Sequence, residues 1–445
     1  MLRRVAPLAF LSLSLFSGCT CGAKTAQPPT PASSSSAAPP SESASITTPG
    51  DKLDPNVFSA PIAAARVARQ DVVAGLVAAE GVVRVLGMAG GKPAWGADAL
   101  TGVAWAPDAE LHVQPAGDAG VALVWRGTRG GTIARTLVVV GPRGEVREAP
   151  VDVGAGFCAT GEGLAWIDPH TTGPSRVMAR RWSDAAPTEV LTVSPDRDPA
   201  LACGDHAVVV LGDGDDDLTA ATFVPGAAAS KPTVAIRDSD FGDDDEREHD
   251  VYTVGDDLGL VRVGSGGAVA LRDIPQGGAP TPWRRLKASI PADDDVVAVD
   301  GDADATFVVY THDADDACPG IGSTAEAVKA IRVDRKTGAE SVLDLAPADC
   351  DHAPGPFWVA PSAPGGATVG WVERATKLAP KAPPIAGVAL RTWTGAAMKA
   401  RHVALHADAV SDAGCDASGC SVAALVRPEG ADGMTPETIQ VVAYP

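Results

Sequence analysis

Eight cysteines, three tyrosines and a 4% aromatic share are little for a chain of 445 residues. No apolar run reaches the ~20 residues that a membrane-spanning helix requires. The chain has no GxSxG elbow, HExxH, Walker loop, SxxK or CxxCH. Serine hydrolase, zincin, nucleotide, penicillin-binding and c-type haem chemistry therefore lack their residues, no catalytic residue is assigned, and no enzyme is expected. Helical repeats are disfavoured as well, because no stretch of the body holds a 3.6-residue apolar period over a helix's length with caps. Positive charge is in deficit: 36 Lys and Arg stand against 56 Asp and Glu, a net charge of -20. That balance argues against nucleic acid and anionic headgroups as partners.

The N-terminus is where the apolar residues gather. "LAFLSLSLFSGCTCG" follows Arg3 and Arg4, and its apolar part, Val5 to Phe16, has the length of a signal-peptide h-region. The junction "FSGC" resembles the lipobox of bacterial lipoproteins. That resemblance implies cleavage before Cys19, diacylation of its sulfur and acylation of its new amine, with Phe16 standing where the family usually has leucine. Several acyl chains, at about 0.8 kcal/mol per buried methylene, make a lasting anchor. By the same resemblance Thr20, not aspartate at the second mature position, favours the outer membrane. An ordinary secretory signal with a chance cysteine is the alternative.

Residues 1–18 are thus expected as a signal peptide and 19–52 as a lipidated, Pro- and Ser-rich tether that buries too little to order itself. Residues 53–445 form the body. Cleavage removes Arg3 and Arg4 and no acid, so the mature charge becomes -22. Six cysteines fall in the body, and an even count in an oxidising compartment suggests three disulfides among the 15 pairings open to them. Nearest neighbours are expected to pair: Cys158 with Cys203 across two successive repeat units, Cys318 with Cys350, and Cys415 with Cys420 around "DASG". Zinc is disfavoured, because the body has no CxxC pair and no histidine at finger spacing. Cys21 is left as a spare thiol.

Seven apolar blocks recur along the body: "VALVW" from Val121, "GLAWI" from Gly163, "AVVVL" from Ala207, "LGLVR" from Leu258, "TFVVY" from Thr306, "ATVGW" from Ala367 and "VAALV" from Val422. The intervals are 42, 44, 51, 48, 61 and 55 residues. Gly117-Asp118, Gly204-Asp205, Gly255-Asp256 and Gly301-Asp302 precede four of them, and these residue types tolerate the positive φ of tight hairpins. Strand-rich units of this length resemble propeller blades. The expected fold is an all-β propeller of seven blades, with six or eight as alternatives and a two-domain sandwich or solenoid as competitors. "DVVAGLVAAEGVVRVLG" is left before the first block, as a strand that could complete the last blade and close the ring.

Chemistry-bearing clusters are sparse. "DGDDD" (Asp213, Asp215, Asp217) and "DGDADA" (Asp300, Asp302, Asp304) resemble the start of a calcium loop, but neither has Gly at the sixth position or Glu at the twelfth. Solvated acidic turns are the preferred reading, so no cofactor is expected and calcium is the disfavoured alternative. The acidic run from Asp238 to Asp250 reads the same way. His402 and His406, with Asp408 beyond, would share one face of a strand, and surface histidines are preferred over a metal site. Trp125, Trp166 and Trp371 end apolar blocks and are assigned to blade packing. Arg180, Arg181, Arg284 and Arg285 are assigned to salt-bridged surface.

The resulting functional expectation is a membrane-anchored, non-catalytic binding or scaffold module of the cell envelope, meeting envelope proteins or glycans. An outer-membrane assembly factor and a propeller-type carbohydrate-active enzyme are the alternatives. The chain is expected to be a monomer, attached to the outer membrane through its lipid.

Overall fold

The computed structural model describes residues 58–444 apart from 107, 148–150, 154–155, 169–173, 194–198, 205–207, 213–216, 238–245, 255–256, 315–324, 363–364, 378–381, 396, 417–418 and 428–437. The seven apolar blocks all become second strands of antiparallel meanders: Val121–Arg129, Gly163–Ile167, Val208–Gly212, Asp257–Gly264, Ala305–Asp313, Gly366–Ala375 and Gly419–Val426. Their runs are continuous, not alternating, because sheets pack on both faces of each strand and leave no wet side.

The fold is an all-β propeller, and the described residues divide into eight blades. The additional unit is the N-terminal one, built of Ser59–Val67, Gln70–Val77, Val82–Ala89 and Lys92–Thr101 in sequential pairing. "DVVAGLVAAEGVVRVLG" thus makes a blade of its own and does not complete the last one. The turn signal explains why this unit escapes the block count. Its first hairpin turns on Ala68 and Arg69 with φ of 49° and 71°, so positive φ is carried there without the Gly-Asp pair that precedes four of the apolar blocks.

Blades 2, 3 and 4 span 110–152, 157–193 and 199–237. Blades 5 and 6, 246–289 and 295–346, are linked where their inner strands meet in a single parallel pair, Val254 with Gly301. Blades 7 and 8 share the bent strand Met398–Val410. It pairs with Ile385–Trp393 along most of its length and with Gly419–Val426 from Ala407 to Val410. Blade 8 is completed by Gly414–Asp416 inside and Thr438–Tyr444 outside.

Eight apolar clusters hold these sheets, one between each consecutive pair and one between blade 8 and blade 1. The chain therefore returns on itself as a ring. Trp125, Trp166 and Trp371 sit in three of these layers, at blades 1 and 2, 2 and 3, and 6 and 7. Arg391 lies over the Trp371 ring, 5.1 Å from its centroid.

Candidate functional site at the ring seam

Seven of the eight blade interfaces join sheets that follow one another along the chain, and most carry further fastenings. Cys158 and Cys203 form a disulfide between blades 3 and 4, with Cα atoms 5.4 Å apart. Arg335 of blade 6 reaches back to Asp273 of blade 5 at 2.8 Å. Beside it Tyr252 is 3% exposed, and burial pushes its hydroxyl up to about 12. Glu340 accepts from the backbone N–H groups of Lys287 and Ala288, both at 2.8 Å.

The eighth interface, between blade 8 and blade 1, is built differently. Among the described residues, the first strand, Ser59–Val67, pairs with Gln70–Val77 and the last, Thr438–Tyr444, pairs with Gly419–Val426. Among the described residues no backbone strand pairing crosses it. It is closed by side chains, with Phe58, Ile62, Val73, Leu86 and Met88 of the N-terminal blade against Ala423, Leu425 and Ile439. A polar latch spans it: Ser421 Oγ, fully buried, donates to Asp71 Oδ1 at 2.5 Å. The same Asp71 oxygen accepts from Arg66 Nη1 at 3.0 Å. Gly414 lies so close to blade 1 that an added Cβ would come within 2.3 Å of the Ala64 carbonyl oxygen. Only a residue without a side chain lets the inner strands approach so closely.

The sequence-predicted site residues fall elsewhere. Cys19 lies outside the described residues, as do Cys318, Asp213 and Asp215. Cys415 and Cys420 are disulfide-bonded across a strand pair, Cα atoms 4.0 Å apart, and Cys350 is disulfide-bonded too. Asp217 opens a strand opposite Arg237. Asp302 Oδ1 accepts from the Asp304 and Ala305 N–H groups at 2.8 and 2.7 Å, capping the hairpin, and Lys336 Nζ sits 2.5 Å from Asp304. Asp300 accepts from the Gly301 N–H at 2.8 Å. An ammonium thus already lies against this acidic turn. Among the described residues no group of three or more His, Cys, Asp or Glu is placed to hold a metal ion.

His402 and Asp408 are drawn to different partners, Glu373 at 2.7 Å and Arg427 at 2.6 Å. Arg181 donates to the Pro225 carbonyl at 3.2 Å. His312 is a polar site that the sequence reading missed. Its Nδ1 lies 2.9 and 3.0 Å from the two oxygens of Asp294, whose side chain is 2% exposed. No sequence signal marks it, since the two residues are eighteen apart with no motif between. The seam was equally invisible, because it depends on which sheet each chain end joins.

No family model and no curated protein matches the chain. Solved structures do. One is a prolyl endopeptidase structure, 17% identical with a TM-score of 0.42, covering 72% of this chain and 54% of that one. Acylaminoacyl peptidase from Pyrococcus horikoshii is 12% identical with a TM-score of 0.46, over 76% and 51%. The β-propeller domain of the Trilobed protease from Pyrococcus furiosus, described as having an open velcro topology, is 11% identical with a TM-score of 0.46, over 76% and 94%. The chain spans about half the length of the first two. These neighbours overturn the expectation of a non-catalytic envelope binding or scaffold module, with an assembly factor or carbohydrate-active enzyme as alternatives. The propellers they contain belong to peptidases.

Proposed function

We propose that this chain is a peptidase-type propeller, a ring that admits extended polypeptide. The observation that carries the reading is the seam. Seven interfaces join sheets consecutive along the chain, whereas among the described residues the eighth is closed by apolar contact and by the latch of Ser421 to Asp71. A ring fastened in this way can part at one place without losing a strand from any sheet, and the elements that open in function come from the least stable part of a fold. The Trilobed protease propeller, with its open velcro, supports the same reading of ring closure. The lipobox at Cys19 supports attachment to the outer membrane, which would hold the ring in a compartment where its disulfides persist.

The test uses the full chain and carboxymethylated casein as an unstructured probe. Binding in the micromolar range is expected, with slowed amide exchange in Gln70–Val77 and Gly419–Val426. Mass spectrometry of the same mixture shows whether hydrolysis accompanies binding. No binding at millimolar casein would overturn the reading.

A further inference from the structure

Among the described residues three large apolar side chains stand exposed, and two of them meet at one end of blade 2. Trp105 is 59% exposed and Ile133 79%. Ala104, just before Trp105, pairs with Thr128, and Thr128 pairs in turn with Ile133. Single apolar residues scattered over a surface need no explanation, but two beside one register row form an apolar tip. The hairpin turns on Gly130 and Gly131, with φ of 58° and 86°. An added Cβ would meet nothing within 4 Å at either glycine among the described residues, so the tip stands clear of the fold.

The same hairpin is basic. Residues 126–135, "RGTRGGTIAR", hold three arginines and no acid in a chain whose net charge is -20. Arg126 and Arg135 stand directly opposite one another, and burial together with Arg126 lowers the Arg135 pKa from its ordinary value. Like charges in that arrangement repel, and an acidic group brought beside them relieves the repulsion. Glu110 does this for Arg126, at 2.7 Å.

Register fixes the face of the ring to which the tip belongs. Ser59 pairs with Leu76, Leu76 with Val83 and Val83 with Leu100, so blade 1 starts and ends on one face. From there the Val103 N–H donates to the Gly81 carbonyl at 3.0 Å, and the Gly130 N–H to the Gly102 carbonyl at 2.9 Å. Phe58, where the described chain begins, therefore shares a face with Trp105 and the hairpin. A lipid on Cys19 is joined to the body through Phe58, on that side.

We infer that this face is a membrane-docking surface, on which Trp105 and Ile133 enter the headgroup region of a phospholipid layer and Arg126, Arg129 and Arg135 reach lipid phosphates. Tryptophan suits that region because its ring is apolar with one polar handle, and arginine lays its stem along apolar surroundings while its head stays wet. The net charge of -20 disfavours an anionic layer, so the occupant is a zwitterionic one. Two apolar side chains bury too little to hold a bilayer alone. A tethering lipid supplies the local concentration, and the tip then sets the orientation. The inference rests on the anchor in the reading above and goes beyond it by naming the face that meets the bilayer. Asp71, which pairs with Arg66 toward the other end of blade 1, is then left with the seam latch on the far side.

The test floats the full chain with vesicles of phosphatidylcholine and phosphatidylethanolamine whose acyl chains carry bromine. The chain should float, and the bromine should quench its tryptophan fluorescence. Trp105→Phe and Ile133→Glu should each lose at least half of that quenching at an unchanged melting temperature, since both side chains are exposed.

Quenching of undiminished size in Trp105→Phe would put another face against the lipid and overturn the inference. A chain that floats unquenched keeps its anchor and refutes the docking face alone. A chain that neither floats nor is quenched refutes both. If Ile133→Glu instead halves the mass of the chain without lipid, a second copy covers the tip and the inference falls. Casein binding is read separately, so the peptide reading survives or fails on its own result.

Discussion

The interface of blades 3 and 4 and the seam of blades 8 and 1 solve one packing problem with different materials. At the first, Ala165, Val177, Ala179, Val208 and Val210 meet around Phe223, and the layer is stapled by Cys158–Cys203. At the seam the side chains are larger, with Phe58, Ile62, Leu86, Met88, Leu425 and Ile439 in one layer. A charged acceptor, Asp71, replaces the staple. Where the chain connects two sheets and a disulfide restrains them, small residues suffice. Where nothing covalent joins them, more apolar area must be removed from water to hold the ring shut, at about 25 cal/mol per Å².

The largest effect should come from breaking the seam's packing. Leu425 is 1% exposed, and Leu425→Ala should cost about 2 to 5 kcal/mol in denaturant unfolding. A loss below 1 kcal/mol would mean that the seam contributes little to closure. Removing the staple with Cys158→Ala and Cys203→Ala opens a loop of sequence separation 45 and should cost about 2 to 4 kcal/mol. Its further effect is to make amide exchange at blades 3 and 4 resemble that at the seam; unchanged exchange would place the restraint elsewhere. Ser421→Ala removes the latch but leaves Asp71 its Arg66 partner, so about 1 kcal/mol is expected. The double variant with Arg66→Ala should lose more than the sum of the singles.

The smallest effect lies away from both interfaces. Glu326 has its carboxyl raised above the usual value by burial and by Asp313 and Asp295. A carboxyl whose folded pKa is raised binds its proton more tightly when folded. It therefore favours the folded state at low pH, and that contribution is lost as pH rises through the unfolded value toward the folded one. Glu326→Gln should raise the melting temperature slightly at pH 7 and leave it unchanged near pH 3. Equal melting temperatures at both pH values would remove Glu326 from the pH dependence.

Much of the ring was legible because seven blades repeat an apolar second strand, and a Gly-Asp pair precedes that strand in four of them. Blade 1 was missed where the turn is written with Ala68 and Arg69. The neighbouring positions of Cys158 and Cys203 in successive units could be read from the same alignment. Contacts between residues far apart in sequence could not. Ser421 and Asp71 are separated by 350 positions, and no local pattern announces that a serine in one apolar strand faces an aspartate in another.

Native-state hydrogen exchange on the full chain tests the account most directly, since it reads each blade within one ring. The second strands of blades 1 and 8, Gln70–Val77 and Gly419–Val426, should exchange at least tenfold faster than their counterparts in blades 3 and 4, Gly163–Ile167 and Val208–Gly212. Equal protection in all four strands would contradict a seam held less firmly than the interface of blades 3 and 4.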